Sequence, residues 1–235
     1  MEPNPKNTRL WELDALRGFL ILCVVIIHFL YFVSEFYIGK AITNPIYVTL
    51  KEYGSCFFIL LSGVCVTLGH HPVRRGLMLV PISVVITVAT YVIFPDMAIV
   101  FGILHLLSLC MITYPIYERL PAWLLLPPAL LLLYFGFFTE LPTVETRLLV
   151  PLGFLYKGFS SFDYFPVIPH FGYFLIGVFL GKTCYRNRRS LLPRPKPLSP
   201  VWSFLEWCGR YSLYIYLVHP PLFLGGIQLL LWLQK

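Results

Sequence analysis

Leu13 to Phe32, "LDALRGFLILCVVIIHFLYF", is an apolar run of the length that crosses a hydrocarbon core as a helix. Asp14 and Arg17 nevertheless stand at its mouth and His28 lies within it. An ionised, unpaired side chain at the bilayer centre costs about 2.5 kcal/mol or more, so these residues need partners. At 100° per residue, Arg17 and His28, eleven apart, fall within about 20° of each other. Asp14 and Glu35, spaced fourteen and seven from His28, lie on nearly the same line. One stripe of the first helix is therefore polar. It is expected to line a bundle interior or a water-filled cavity, with Arg17 near the cytoplasmic surface and His28 about 16 Å further out. Asp14 and Arg17, at i and i+3, can pair.

The rest of the chain has the same character. Of 235 residues, 58% are hydrophobic and 12% charged, and the mean hydropathy is +0.76. The expected fold is an all-α integral membrane protein, one domain over 1–235, with about seven spans near 13–35, 54–69, 75–94, 98–117, 122–138, 168–183 and 204–232. The opening "MEPNPKNTR" has no signal-peptide core or cleavage site, so the first run is expected to be retained as a span. The net charge of +7 raises the question of nucleic acid. Its placement answers it: with a cytoplasmic N-terminus, Lys6, Arg9, Arg17, Arg74, Arg75, Arg119 and the basic tract Lys182 to Arg210 all fall on the inner face. Lys40, Lys51, Arg147, Lys157 and Lys235 are left scattered outside. The C-terminus is then outside, and nucleic acid drops out. The six cysteines show no C-x-x-C spacing, so neither a metal nor a disulfide framework is expected. "RNRRSLLPRPKPLSP", 186–200, reads as part of a basic cytoplasmic loop over 184–203, a topology determinant that also suits acidic lipid.

Other spans offer polar groups at similar depth. His105 lies in "FGILHLLS", with Ser108 one turn on. In "GRYSLYIYLVHPPLFLGG", His219 precedes Pro220 and Pro221, which remove two backbone donors, so a helix break is expected there. Ser212 and Tyr216 share the side of His219, and Arg210 belongs at the inner end. The long outer connection, 139–167, ends in "KGFSSFDYFPVIPHFGYF", aromatic and proline-marked, with Asp163 in it. It is expected to be ordered at the outer interface, over a cavity shared by His28, His105 and His219. Each residue also has a structural reading: a membrane histidine can be interhelical hydrogen-bond glue, and Asp163 can cap a turn.

In order, "RLWELDALRGFLILCVVIIHF", "FFILLSGVCVTLG", "GILHLLSL", "FDYFPVIPHFGYFLIGVFLGK" and "GRYSLYIYLVHPPL" resemble the heparan-α-glucosaminide N-acetyltransferase catalytic-domain family over roughly 9–230. The resemblance implies a membrane acyltransferase that takes acetyl from acetyl-CoA and passes it to a sugar amine or hydroxyl on the far side of the membrane. In the family's lysosomal branch the catalytic histidine follows the first span. Residues 33–53 contain no histidine here, and the nearest polar equivalent is His28, which matches the first-span histidine of the bacterial branch. Residues and resemblance together give an expected mechanism. The donor's phosphates lie near Arg17 and Arg210, with Asp14 beside them, and the acyl group arrives at His28, which acts as base or acyl carrier. Asp163, His219 or His105 orients or relays. The expected partners are acyl-CoA, a sugar or glycan acceptor, membrane lipid and, in a homodimer, a second copy. The expected location is a bacterial cytoplasmic membrane. The alternative is a transporter, a proton-coupled path for a small solute through the intramembrane histidines. A haem protein is disfavoured because no helix carries the usual two histidines.

Overall fold

Apolar runs set where the helices lie, and prolines and caps set where they end. The computed structural model describes residues 10–40, 42–193 and 200–233. Among these there is no strand. The α-helices are α1 (Trp11–Phe32), α2 (Pro45–Leu68), α3 (Pro72–Ile93), α4 (Ile103–Glu118), α5 (Leu126–Phe138), α6 (Val167–Cys184), α7 (Pro200–Arg210) and α8 (Ser212–Leu233). Five of them, α1, α2, α3, α6 and α8, are long and apolar enough to cross a membrane, whereas Ile103–Glu118 and Ala122–Phe138 are shorter apolar helices. Lys6, Arg9, Arg194, Lys196 and Lys235, used above to orient the chain, lie outside the described residues.

Local chemistry explains the ends. Asn44 accepts from the Ile46 and Tyr47 N–H groups at 2.9 and 3.3 Å, and Pro45 follows as the first helical residue of α2. Past Phe32, α1 winds into a π-helical turn over Val33–Ile38 that stops at Gly39, in the left-handed region at φ 68. The Lys40 N–H reaches back to the Ser34 carbonyl at 3.1 Å, and the Ser34 hydroxyl donates to the Lys40 carbonyl. The 100° register therefore ends before Glu35, whose side chain lies outside the described ones.

Three expectations about spans are corrected, the first being the second span, which begins at Pro45 rather than near 54. The fourth helix begins at Ile103 rather than near 98, because Pro95–Met97 forms a 3-10 turn and Gly102 is extended (φ −85, ψ −176). The last run breaks at Tyr211, between α7 and α8, and not at Pro220 and Pro221, which sit inside α8. Pro220 deprives the Tyr216 carbonyl of its N–H partner, and one residue earlier the His219 ring nitrogen Nδ1 stands 3.0 Å from the Ile215 carbonyl. Membrane helices tolerate internal proline because side chains, neighbouring helices and local adjustment re-satisfy the freed backbone groups.

The chain divides into two compact units, one holding the described parts of Met1–Phe58 and Arg188–Lys235, the other Ile59–Asn187. In the first, α1 lies chiefly along α7 and then α8. Small residues permit the close approach: a Cβ on Gly18 would strike the Leu205 carbonyl, and one on Gly209 the Asp14 carbonyl. Buried Glu12 accepts from the Leu191 N–H at 2.9 Å and the Ser190 hydroxyl at 2.6 Å, holding the start of the basic loop to α1.

In the second unit α4 is the core, with Leu106 and Cys110 fully buried. It packs on α3, where the Ser108 hydroxyl donates to the Gly76 carbonyl at 2.9 Å. The Lys182 ammonium closes its C-terminal end on the carbonyls of Tyr117, Glu118 and Leu120, at 3.3, 2.6 and 2.7 Å. The 139–167 connection is fastened down, Phe162 and Phe165 donating their N–H groups to the carbonyls of Met97 and Phe101 and Ser161 its hydroxyl to that of Ala98. The Tyr164 hydroxyl donates to the Val150 carbonyl at 2.7 Å, and burial pushes that phenol up to about 12.

Candidate functional site

At the N-terminal end of α1, Arg17 donates to Asp14 Oδ1 at 3.2 Å, the side chains being 24% and 10% exposed. Asp14 Oδ2 is buried and accepts no hydrogen bond among the described residues. On α7, Arg210 pairs with Glu206 at 3.2 Å, the arginine 48% exposed and the carboxylate 9%. Arg210 is the more open of the two arginines. Both expected phosphate-binding arginines are thus fixed on packed helices of one unit. The buried carboxylates Glu12 and Glu206 were missed as partners. The spacing of "EWCGR" carried the signal for Glu206, four residues before Arg210.

Further along the same helix, the His28 Nδ1 and His219 Nε2 atoms stand 2.7 Å apart, across 191 residues of sequence. The ring centroids are 5.0 Å apart with planes 24° from parallel. That nitrogen-to-nitrogen distance is a hydrogen bond, closer than stacked faces allow, so the two imidazoles meet edge to edge. His219 is only 4% exposed, and its Nδ1 lies 3.0 Å from the Ile215 carbonyl. His28 is the more accessible of the pair. An aromatic wall surrounds them: Tyr216 and Phe223 each lie 5.7 Å from the His219 ring, and Phe223 meets Phe29 at 5.4 Å and Phe32 at 6.2 Å. Lys51 sits 4.8 Å over the Tyr31 ring and acts electrostatically on His28. A second span starting at 54 leaves Lys51 an outer cation; α2 begins nine residues earlier, at Pro45, so Lys51 belongs to the helix.

His105 and Asp163 belong to the other unit, where both serve the turn that opens α4. Asp163 Oδ2 accepts from the Ile103 N–H at 3.1 Å, the arrangement of a helix cap supplied from a distant loop. His105 Nδ1 accepts from the Gly102 N–H at 3.2 Å. Its Nε2 stands 3.1 Å from the Thr87 hydroxyl, which itself donates to the Ile99 carbonyl at 2.7 Å. Both nitrogens of His105 are therefore engaged, Nδ1 by the turn itself and Nε2 by Thr87 of α3. Among the described residues no three His, Cys, Asp or Glu side chains gather as a metal group.

Chemically, the first unit offers a half-buried imidazole held by a buried one, with Arg17 nearer the N-terminal end of the same helix and Arg210 on α7. The second offers a buttressed helix start. A comparison with family models matches residues 9–221 to the family described as heparan-alpha-glucosaminide N-acetyltransferase, catalytic. Searches of curated proteins and of solved structures each found no match.

Proposed function

This chain belongs to the heparan-alpha-glucosaminide N-acetyltransferase catalytic family, and from that premise we propose that it moves an acetyl group from cytoplasmic acetyl-CoA to a sugar amine or hydroxyl on the other side of the membrane. The family implies a membrane acetyltransferase in general terms. The finer reading rests on one observation, the 2.7 Å pairing of half-buried His28 with buried His219. A neutral imidazole so held can take a proton from an attacking amine or hydroxyl, or accept the acyl group and pass it on. The donor's phosphates are assigned to Arg17 and Arg210, with Asp14 fixing Arg17, and its pantetheine arm to the stripe of α1 leading to His28. His105 and Asp163 are assigned as positioning residues for the start of α4.

The chain acts on this reading as one acyltransferase-like domain in a bacterial cytoplasmic membrane, N-terminus inside and C-terminus outside after seven crossings. The seven include the two shorter helices. Sixteen helical residues in α4 span about 24 Å, less than a hydrocarbon core of about 30 Å. The non-helical approach that completes this crossing, with Ala98 and Phe101 buried, is tolerated because it is packed in protein.

Sided vesicles test the reaction. Protein reconstituted with an amino sugar trapped inside and labelled acetyl-CoA outside should accumulate acetylated sugar in the lumen. Solute counterflow with no acyl donor present, and no acetylated product, would instead establish the transporter.

A further inference from the structure

The proton positions in the histidine pair follow from what each nitrogen faces. A carbonyl oxygen has no proton to give, so His219 Nδ1, 3.0 Å from the Ile215 carbonyl, must be the donor there. In a neutral imidazole the other nitrogen then carries the lone pair. His219 Nε2 therefore accepts across the 2.7 Å contact, and the proton between the rings belongs to His28 Nδ1. We infer that buried His219 locks His28 in its Nδ1–H tautomer and leaves His28 Nε2 as the lone-pair nitrogen that meets substrate.

Two further features support this. The 24° angle between the ring planes lets the His28 N–H point at the His219 lone pair nearly within both rings. The buried ring is anchored to its own helix through the Ile215 carbonyl, one turn back from His219. The order carbonyl, imidazole, imidazole thus does what a carboxylate does for the histidine of a hydrolase triad, fixing tautomer and orientation without adding a charge.

The inference rests on the reading of His28 as the reacting imidazole. As the acceptor's nitrogen or oxygen attacks the thioester carbonyl, its proton passes to His28 Nε2 while the new C–N or C–O bond forms. The C–S bond then breaks, the sulfur takes that proton and leaves as the free thiol, and neutral His28 is restored. The Nδ1–H stays bonded to His219 throughout.

Nitrogen NMR on protein carrying 15N only at histidine Nδ1, in lipid bilayers and without substrate, tests the tautomer, with His28→Ala and His219→Ala assigning the signals. The expected result is a protonated Nδ1 at both residues. An unprotonated Nδ1 at His28 overturns the inference. In transfer assays, His219→Ala should lower kcat about 100-fold with KM little changed, and His219→Gln, whose side-chain carbonyl can still accept from His28 Nδ1–H, should recover part of it. Equal kcat in both variants and wild type also overturns it. A protein that transfers no acetyl yet shows the protonated His28 Nδ1 upholds the tautomer assignment and removes only the functional reading.

Discussion

His28 and Arg17 show how one helix carries polar groups through an apolar setting: each is matched to a fixed partner. The Asp14–Arg17 pair was legible because three-residue spacing puts the two on one face and the ion pair is local. The His28–His219 bond was not, since periodicity places a residue on a face but cannot say which distant helix covers that face. Arg17→Met should cost about 2 kcal/mol of stability in detergent, because it strands a buried carboxylate whose Oδ2 accepts no hydrogen bond among the described residues. Arg17→Lys should recover only part of this, a point charge being a poorer match to the carboxylate. Thermal unfolding measures both, and an unchanged midpoint in Arg17→Met would show that the pair carries no stability.

Among the elements, the contact of α1 with α7 and the cap of α4 make separable predictions. Gly209→Ala places a methyl against the Asp14 carbonyl, and should destabilise by about 1–3 kcal/mol because the helices must part. Gly225→Ala, with nothing within 4 Å of the added Cβ, should be neutral or stabilising by up to about 1 kcal/mol. Asp163→Ala should cost about 1 kcal/mol through loss of the Ile103 cap, with hydrogen exchange rising first at the start of α4. Helix identity was readable from apolar length, but several boundaries were not, among them the start of α2 at Pro45. Gly102 and Pro95 end the apolar approach to α4 by backbone geometry that hydropathy ignores. The prolines of α8 gave a sound local argument for a break, but the helix continues through both of them, as membrane helices can.

At the scale of the whole molecule, composition was decisive: five helices long and apolar enough to cross, together with the family, identify an integral membrane protein. Orientation is a separate matter, since it rests on cations, several of which lie outside the described residues. Cys184, the one exposed cysteine among those described, provides the readout. With the N-terminus inside, a membrane-impermeant thiol reagent should label it only after cells are permeabilised, and labelling of intact cells would reverse the topology. The central claim, that His28 carries acetyl transfer, is tested most directly with radiolabelled acetyl-CoA, purified protein and a panel of amino sugars. The account predicts label on a sugar or held on the wild-type protein, and a loss of about 100-fold or more in His28→Ala. Undiminished transfer by His28→Ala, or no binding, labelling or hydrolysis of acetyl-CoA by the wild type, would contradict it.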